Sequence, residues 1–268
     1  MKSTNQNIKS ISNKISKYFH HPSVVLWRSL ELEAIVENLS KINKVHPMLD
    51  LGCGEGKIAE IIFGKKHIDV GMDPEPEMVT QAIKNSIYKK VVPGDARDMP
   101  FKSNSFNFIF SNSVIEHIDG IDSVIKEASR ILISGGSFMF TVPNEKLRRN
   151  LFFTRLFRQV GLVGAGKWYS RSINSQLDHY NLLSEKQWRK LLDKNKLKII
   201  YIAYYLDKRQ TALWDIFRVL FLIFKPIQKN YWVEKIQDKV TTYLLKEIVN
   251  WECNEDEGSC TIIIAKKV

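Results

Sequence analysis

The sequence predicts an α/β domain in which a parallel sheet is covered by helices on both faces. Short apolar runs of strand length alternate with segments of helical spacing from residue 46 to residue 142, the mark of successive β–α–β units. The first of these runs opens into a glycine-rich turn, the backbone type that lets a chain approach a ligand closely. A chain of 268 residues with 44% apolar and 26% charged side chains is also large enough to bury the core of a covered sheet.

Residues 1–45 read as an N-terminal helical arm or lid, whose first twenty residues mix Lys, Asn, Ser and Ile. Arg28 and Glu31 lie on its helix, where they either close over a site or face solvent. His46–Leu51 is a short buried strand, and helical spacing follows over Gly56–Phe63. His67–Met72 is the second strand, and Asp73-Pro74 starts a helix over Pro76–Ser86. Tyr88–Pro93, Phe106–Ser111 and Gly136–Val142 are the next three strands, with a helix over Asp122–Leu132 before the last of them. Ser184 and Gln187 have the spacing of a capping box that opens a helix over Glu185–Asp193. Lys198–Tyr205 and Ser259–Lys266 are the final strands. A compact sheet needs neither residues 145–177 nor residues 207–258. These segments are therefore insertions into a domain spanning 46–268, with a functional or membrane-related character.

Composition excludes several classes. Cys53, Cys253 and Cys260 are too few and too scattered for a disulfide framework or a zinc cage, so a reducing compartment is expected and no metal site is read. The opening MKSTNQNIKS lacks the apolar stretch of a secretory leader. No uncharged apolar run reaches the ~20 residues that span a bilayer. A cytoplasmic protein is expected. The net charge of +11 points to an anionic partner or surface, but it divides as +4 over residues 1–46, −3 over 47–143, +9 over 144–198 and +1 over 199–268. A nucleic-acid binder with basic residues throughout would not concentrate its excess in one segment.

The most informative motif is Asp50-Leu51-Gly52-Cys53-Gly54-Glu55-Gly56. A dinucleotide fingerprint would require glycine at position 57, where this chain has Lys57. The glycines instead follow a D-x-G-x-G-x-G spacing. An acid closes the second strand in Val70-Gly71-Met72-Asp73, and Gly94-Asp95-Ala96 follows the third. Pro100-Phe101 through Asn107 and the run Arg130-Ile131-Leu132 to Gly135-Gly136 complete the series. In this order and spacing the chain resembles the class I S-adenosylmethionine-dependent methyltransferases, closest to the small-molecule group of the ubiquinone and menaquinone pathways. The likeness is strong over about residues 47–143 and weaker over 178–205 and 259–266. Asn107 stands where the family has aspartate, and Ser134 where proline is common; neither change touches the cofactor.

The resemblance implies a Rossmann-like methyltransferase fold with a seven-stranded, mostly parallel sheet whose last strand, Ser259–Lys266, is antiparallel. It implies S-adenosyl-L-methionine as cofactor, held by Asp50, Gly52, Cys53, Gly54, Asp73, Asp95, Ala96 and Asn112. On that pattern Asp50 orients the loop and the methionine ammonium, Asp73 accepts from the ribose hydroxyls, and Asp95 and Ala96 meet the adenine. An acid at the end of a buried strand also serves simply to cap a loop, a role compatible with the first.

The fourth strand ends Ser111-Asn112-Ser113-Val114-Ile115-Glu116-His117 and lacks the Pro-Pro-aromatic signature of adenine methylation. His117 follows the family's E-H pattern, and neutral imidazole has a suitable pKa for taking a proton from an acceptor hydroxyl. Its alternative is packing beneath the site. His179, in Asp178-His179-Tyr180, is a second catalytic candidate or a contact within a substrate lid.

Glu145–Val160 reads as one basic amphipathic helix, with Phe152, Phe153, Leu156, Phe157 and Val160 on one arc and Arg148, Arg155 and Arg158 opposite. It suits an anionic membrane surface or a lid. Ala212–Phe224 is apolar nearly all round apart from Asp215 and Arg218. It is too short to cross a bilayer and suits one leaflet, a dimer contact, a substrate tunnel or a buried core helix. The expected reaction is methyl transfer to a small-molecule, lipid or lipid-linked glycan acceptor, with oxygen preferred. The competing readings are an RNA methyltransferase and a non-catalytic S-adenosylmethionine-binding protein. The acceptor and the oligomeric state are not legible.

Overall fold

The computed structural model describes residues 14–15, 18–19, 21–42, 46–65, 68–223, 235–236, 239–240, 243 and 258–268. In chain order the first elements are α1 (Pro22–Leu39), β1 (Met48–Leu51), α2 (Lys57–Phe63), β2 (Ile68–Asp73), α3 (Pro76–Asn85), β3 (Tyr88–Pro93), β4 (Phe106–Asn112), α4 (Ile121–Ile131) and β5 (Leu132–Pro143). There follow α5 (Lys146–Asn150), α6 (Phe152–Gln159), α7 (Val163–Gln176), α8 (Glu185–Lys194), β6 (Leu197–Tyr205), α9 (Lys208–Ile223) and β7 (Cys260–Lys267). The chain divides into two compact units: one from residues 38–145, 178–203 and 260–268, the other from the described parts of 1–37, 146–177 and 204–259.

The first unit is built on a seven-stranded sheet in the order β3-β2-β1-β4-β5-β7-β6. Strands β1 to β5 pair in parallel, and β7 runs antiparallel to β5 with Phe140 opposite Ile263. This is the Rossmann-like arrangement expected from the sequence, including its reversed last strand. Chain order changes direction between β1 and β4, and at such a switch point the strand ends leave a crevice for ligands. Leu49, Ile109, Phe138 and Ile263 are fully buried along the middle strands, and Trp188 of α8 lies 5.0 Å from Phe140, ring to ring. The central strands are apolar on both faces because both are covered.

Local chemistry explains the element ends. Pro47 has no N–H to donate, so β1 begins at Met48 rather than His46. Gly56 caps α2 with φ 84°, and Ser86 closes α3 in the left-handed region. Gln187 Oε1 accepts from the Ser184 N–H at 2.9 Å, the capping interaction expected for α8. Strand β5 runs from Leu132, four residues earlier than expected, directly from the end of α4. Arg130 donates to the carbonyls of Phe101 and Met99 at 2.7 and 2.9 Å, while Glu127 accepts from the Met99 N–H at 2.8 Å. The two later sequence motifs are thus one clasp, α4 holding the Pro100-Phe101 turn. His67 and Cys253 lie outside the described residues.

The second unit corrects two expectations. Residues 145–160 do not form one helix: Leu151, with ψ 134°, separates α5 from α6. That break buries Leu151 and leaves the Asn150 amide donating to Ser259 Oγ at 2.9 Å. The expected apolar arc is likewise divided. Phe153 and Phe157 turn toward Tyr169 of α7, at 5.6 and 6.2 Å between rings, whereas Leu156 and Val160 remain 38% and 61% exposed. In α9, Asp215 is fully buried and accepts from Tyr169 Oη at 2.6 Å and the Phe153 N–H at 3.2 Å, so it faces inward with Trp214. Phe224 lies outside the described residues. Glu31 is also buried rather than on a surface face, taking hydrogen bonds from Arg28 and from Tyr205 Oη. Among the described residues no helix is long and apolar enough to cross a membrane.

Candidate active site

Strand β1 delivers the chain to Gly52, whose N–H and that of Cys53 donate to the Met72 carbonyl at 2.8 and 2.9 Å. These bonds fix the glycine loop against the end of β2. Gly52 has φ 75°, and a Cβ there would lie 2.4 Å from Val114, so only glycine fits both the conformation and the space. The Gly54 N–H donates to Asp73 Oδ2 at 2.8 Å, and the Glu75 N–H to Asp73 Oδ1 at 3.0 Å. Asp73 thereby bridges the two loops, and a carboxylate with one bond per oxygen keeps acceptor capacity for further donors.

Asp50 stands behind this loop, buried, and accepts from Tyr88 Oη at 2.7 Å. Burial pushes its carboxyl up to about 7 despite the Tyr88 bond, and the neighbouring Asp73 adds repulsion. Burial also raises the Cys53 thiol, which stays protonated and packs rather than attacks. At the end of β4, Asn112 Nδ2 donates to Thr141 Oγ1 at 3.2 Å, and Asn112 Oδ1 is buried with no protein partner among the described residues.

A cavity of about 510 Å³ opens beside these strand ends. Gly52, Asp73, Asp95, Ala96, Val114 and His117 are on its wall. Asp95 is held by Arg97, through the guanidinium at 2.6 and 3.0 Å and the Arg97 N–H at 2.8 Å. The Arg97 hydrogen bonds hold its carboxyl below the usual range.

His117 ends a short 3-10 turn, Ile115–His117. The segment after α7 is tied to this turn: the Tyr180 and Asn181 N–H groups donate to the Glu116 carbonyl at 2.8 and 3.1 Å, and Asn181 Nδ2 donates to the Ile115 and Ile118 carbonyls at 2.9 and 2.7 Å. That tie sets the His179 ring 5.2 Å from the His117 ring.

Of the residues singled out from the sequence, Gly52, Asp73, Asp95, Ala96 and His117 thus line the cavity. Asp50, Cys53, Gly54, Asn112 and His179 do not. Sequence reasoning missed Arg97, Val114 and Tyr180 on the wall, and Tyr88 as the partner of Asp50. A lone tyrosine opening a strand carries no signal of that role. Glu116 was visible within the E-H pair but its place beside both histidines was not.

Residues 49–140 match the family model described as a methyltransferase domain. A malonyl-[acyl-carrier protein] O-methyltransferase of Legionella pneumophila is 31% identical over 145 residues, covering 49% of this chain and 50% of that protein. A ubiquinone biosynthesis O-methyltransferase of Pelagibacter ubique is 27% identical over 142 residues, covering 47% and 58%. The match therefore spans about half the length of these relatives. Among solved structures, an S-adenosylmethionine-dependent methyltransferase of Thermotoga maritima superposes with a TM-score of 0.56 over 90% of this chain and 91% of that one, at 16% identity. The fold is the Rossmann-like methyltransferase fold. Over residues 49–140 the chain is thus similar to a methyltransferase domain, in line with its motifs.

Proposed function

We propose that this chain transfers the methyl group of S-adenosylmethionine to a hydroxyl oxygen of a small or lipid-like acceptor. The observation that carries the reading is the glycine loop and Asp73 converging on one wall of the 510 Å³ cavity, a volume in the range of small-ligand sites. The residues present fit the cofactor. Asp73 has acceptor capacity for two ribose hydroxyls, Asp95 and Ala96 border the adenine position, and the buried Asn112 Oδ1 is a polar atom in want of a donor. Gly52, Cys53 and Gly54 shape the backbone next to the methionine portion, with the Asp50 carboxylate behind them for its ammonium. When bound, the cofactor supplies a methyl group activated by its sulfonium. The protein's share is to hold the acceptor in line with that methyl, which needs no protein nucleophile. His117 on the cavity wall takes the hydroxyl proton, with His179 beside it. Oxygen is favoured as acceptor because both curated relatives described above are named O-methyltransferases.

Calorimetry tests the binding half: S-adenosylmethionine should bind and nicotinamide dinucleotides should not, and the reverse result overturns the reading. His117→Ala should lower turnover about 10²–10⁴-fold with cofactor affinity nearly intact, the usual span for a general base. Full turnover in that variant removes His117 from the chemistry.

A membrane-surface role for the second unit is favoured by one further observation. Val160, Leu162, Val163 and Trp168 are 61%, 55%, 46% and 70% exposed around the α6–α7 corner, with Arg158, Lys167 and Arg171 exposed on the same two helices. Inserted apolar side chains flanked by basic ones suit an anionic bilayer, each cation adding about 1 kcal/mol. Liposome flotation should show binding that weakens with salt without vanishing. Trp168→Asp should release the salt-resistant part while leaving the thermal midpoint unchanged. Absence of flotation with every anionic composition refutes this role.

A further inference from the structure

Glu116, His117 and His179 each offer one ligand atom, and the three atoms lie within 4.8 Å of one another. About sixty residues separate the E-H pair from His179, so the cluster exists only because the Tyr180 and Asn181 amides fasten one segment to the other. The protonation pattern of His117 is fixed by its neighbour. Its Nδ1 lies 3.2 Å from the Asp178 carbonyl, which can only accept, so Nδ1 carries the proton. In neutral imidazole the other nitrogen, Nε2, then presents a lone pair. Glu116 Oε1, a second acceptor, lies 3.7 Å from that nitrogen. At 3.7 Å the pair is beyond good hydrogen-bonding distance even for an imidazolium proton, so the two atoms are neighbours without bonding each other. A cation between them turns both into ligands.

We propose that Glu116, His117 and His179 form a divalent transition-metal site at the wall of the cavity. The donor set, two imidazoles and one carboxylate, suits Zn²⁺, Mn²⁺, Fe²⁺ or Co²⁺ rather than the all-oxygen preference of Mg²⁺ or Ca²⁺. A backbone carbonyl holding the far nitrogen of a ligating histidine is the usual outer support of such sites. Glu116 is buried, whereas the His117 side chain is 40% exposed and lines the cavity. Three protein ligands leave coordination positions open there, and an oxygen of the acceptor is a fitting further ligand. This placement rests on the methyl-transfer reading for its use but not for its existence. With the cation bound, the His117 Nε2 lone pair is spent on it; the metal would instead lower the pKa of a bound acceptor hydroxyl, whose proton would leave to solvent water rather than to the imidazole.

The test uses the full chain without a polyhistidine tag, stripped of metal and titrated with Co²⁺. Visible absorption bands should grow to one equivalent, and Zn²⁺ should displace the signal. His179→Ala and Glu116→Gln should each weaken Co²⁺ binding at least about tenfold. The histidine variant guards against a folding defect at the buried glutamate. S-adenosylmethionine affinity, read by calorimetry, should be unchanged in both. No saturable Co²⁺ band, or a band indifferent to both substitutions, overturns the site. Cobalt binding without S-adenosylmethionine binding would leave the site standing and sink the methyl-transfer reading instead.

Discussion

Asp50 should make the glycine loop sensitive to pH. Its carboxyl is 4% exposed, and burial raises its pKa from 3.8 to about 7 against the pull of the Tyr88 hydrogen bond. In the unfolded chain it ionises near 3.8. Between 3.8 and about 7 the folded chain therefore holds a proton that the unfolded chain has released. Stability is greatest at the acid end of that window, falls as pH rises through it, and is flat above. A span of roughly three pH units at about 1.4 kcal/mol each sets the loss attributable to Asp50 at about 4 kcal/mol. Asp50→Asn removes the ionisation and keeps an oxygen for Tyr88 Oη. Urea unfolding at pH 4.5, 6 and 8, with the m-value checked for constancy, should show the variant gaining on the wild type with pH, up to that ceiling. Glu33, raised to about 7 chiefly by burial, has the same sign but is common to both proteins and cancels in the difference. A difference that does not change with pH refutes the assignment.

The same group should make cofactor affinity pH-dependent. The ammonium proposed to lie near Asp50 favours the carboxylate, so binding must remove the proton that burial retains. Affinity for S-adenosylmethionine should rise with pH up to about 7 and level off above it. Asp50→Asn should abolish that rise and bind more weakly at pH 8. The variant would then be the more stable protein and the poorer binder, the trade expected where a buried charge is kept for a ligand.

Asp73→Ala should weaken S-adenosylmethionine binding by roughly 1.5–3 kcal/mol, the scale of hydrogen bonds to a charged group; an unchanged dissociation constant would mean that Asp73 does not meet the ribose. Gly52→Ala should destabilise the fold by roughly 2–5 kcal/mol, combining left-handed strain with overpacking against Val114. A thermal midpoint equal to wild type would show that the loop relaxes freely.

What was legible in the sequence follows from what is local. The sheet could be read because each strand carries its own apolar run, and the glycine loop because φ 75° at Gly52 leaves one residue type. Asp73 could be placed because the end of a strand is fixed once the strand is. The α5–α6 break could not: nothing near Leu151 forbids a helix, and what ends it is the burial of Leu151 and the bond from Asn150 to Ser259, more than a hundred positions away. Tyr88 was invisible for the same reason, since its hydroxyl reaches Asp50 across two strand pairings. Glu116 and His179 meet through backbone amides, whose bonding leaves no trace in side-chain pattern. The glycine loop answers to a local rule, whereas Tyr88, which bonds Asp50, and Asn181, which fastens the His179 segment to the turn of Glu116, act across long stretches of sequence. It is there, at Tyr88, Glu116 and Asn181, that substitutions should alter pH response and acceptor chemistry while leaving the motif intact.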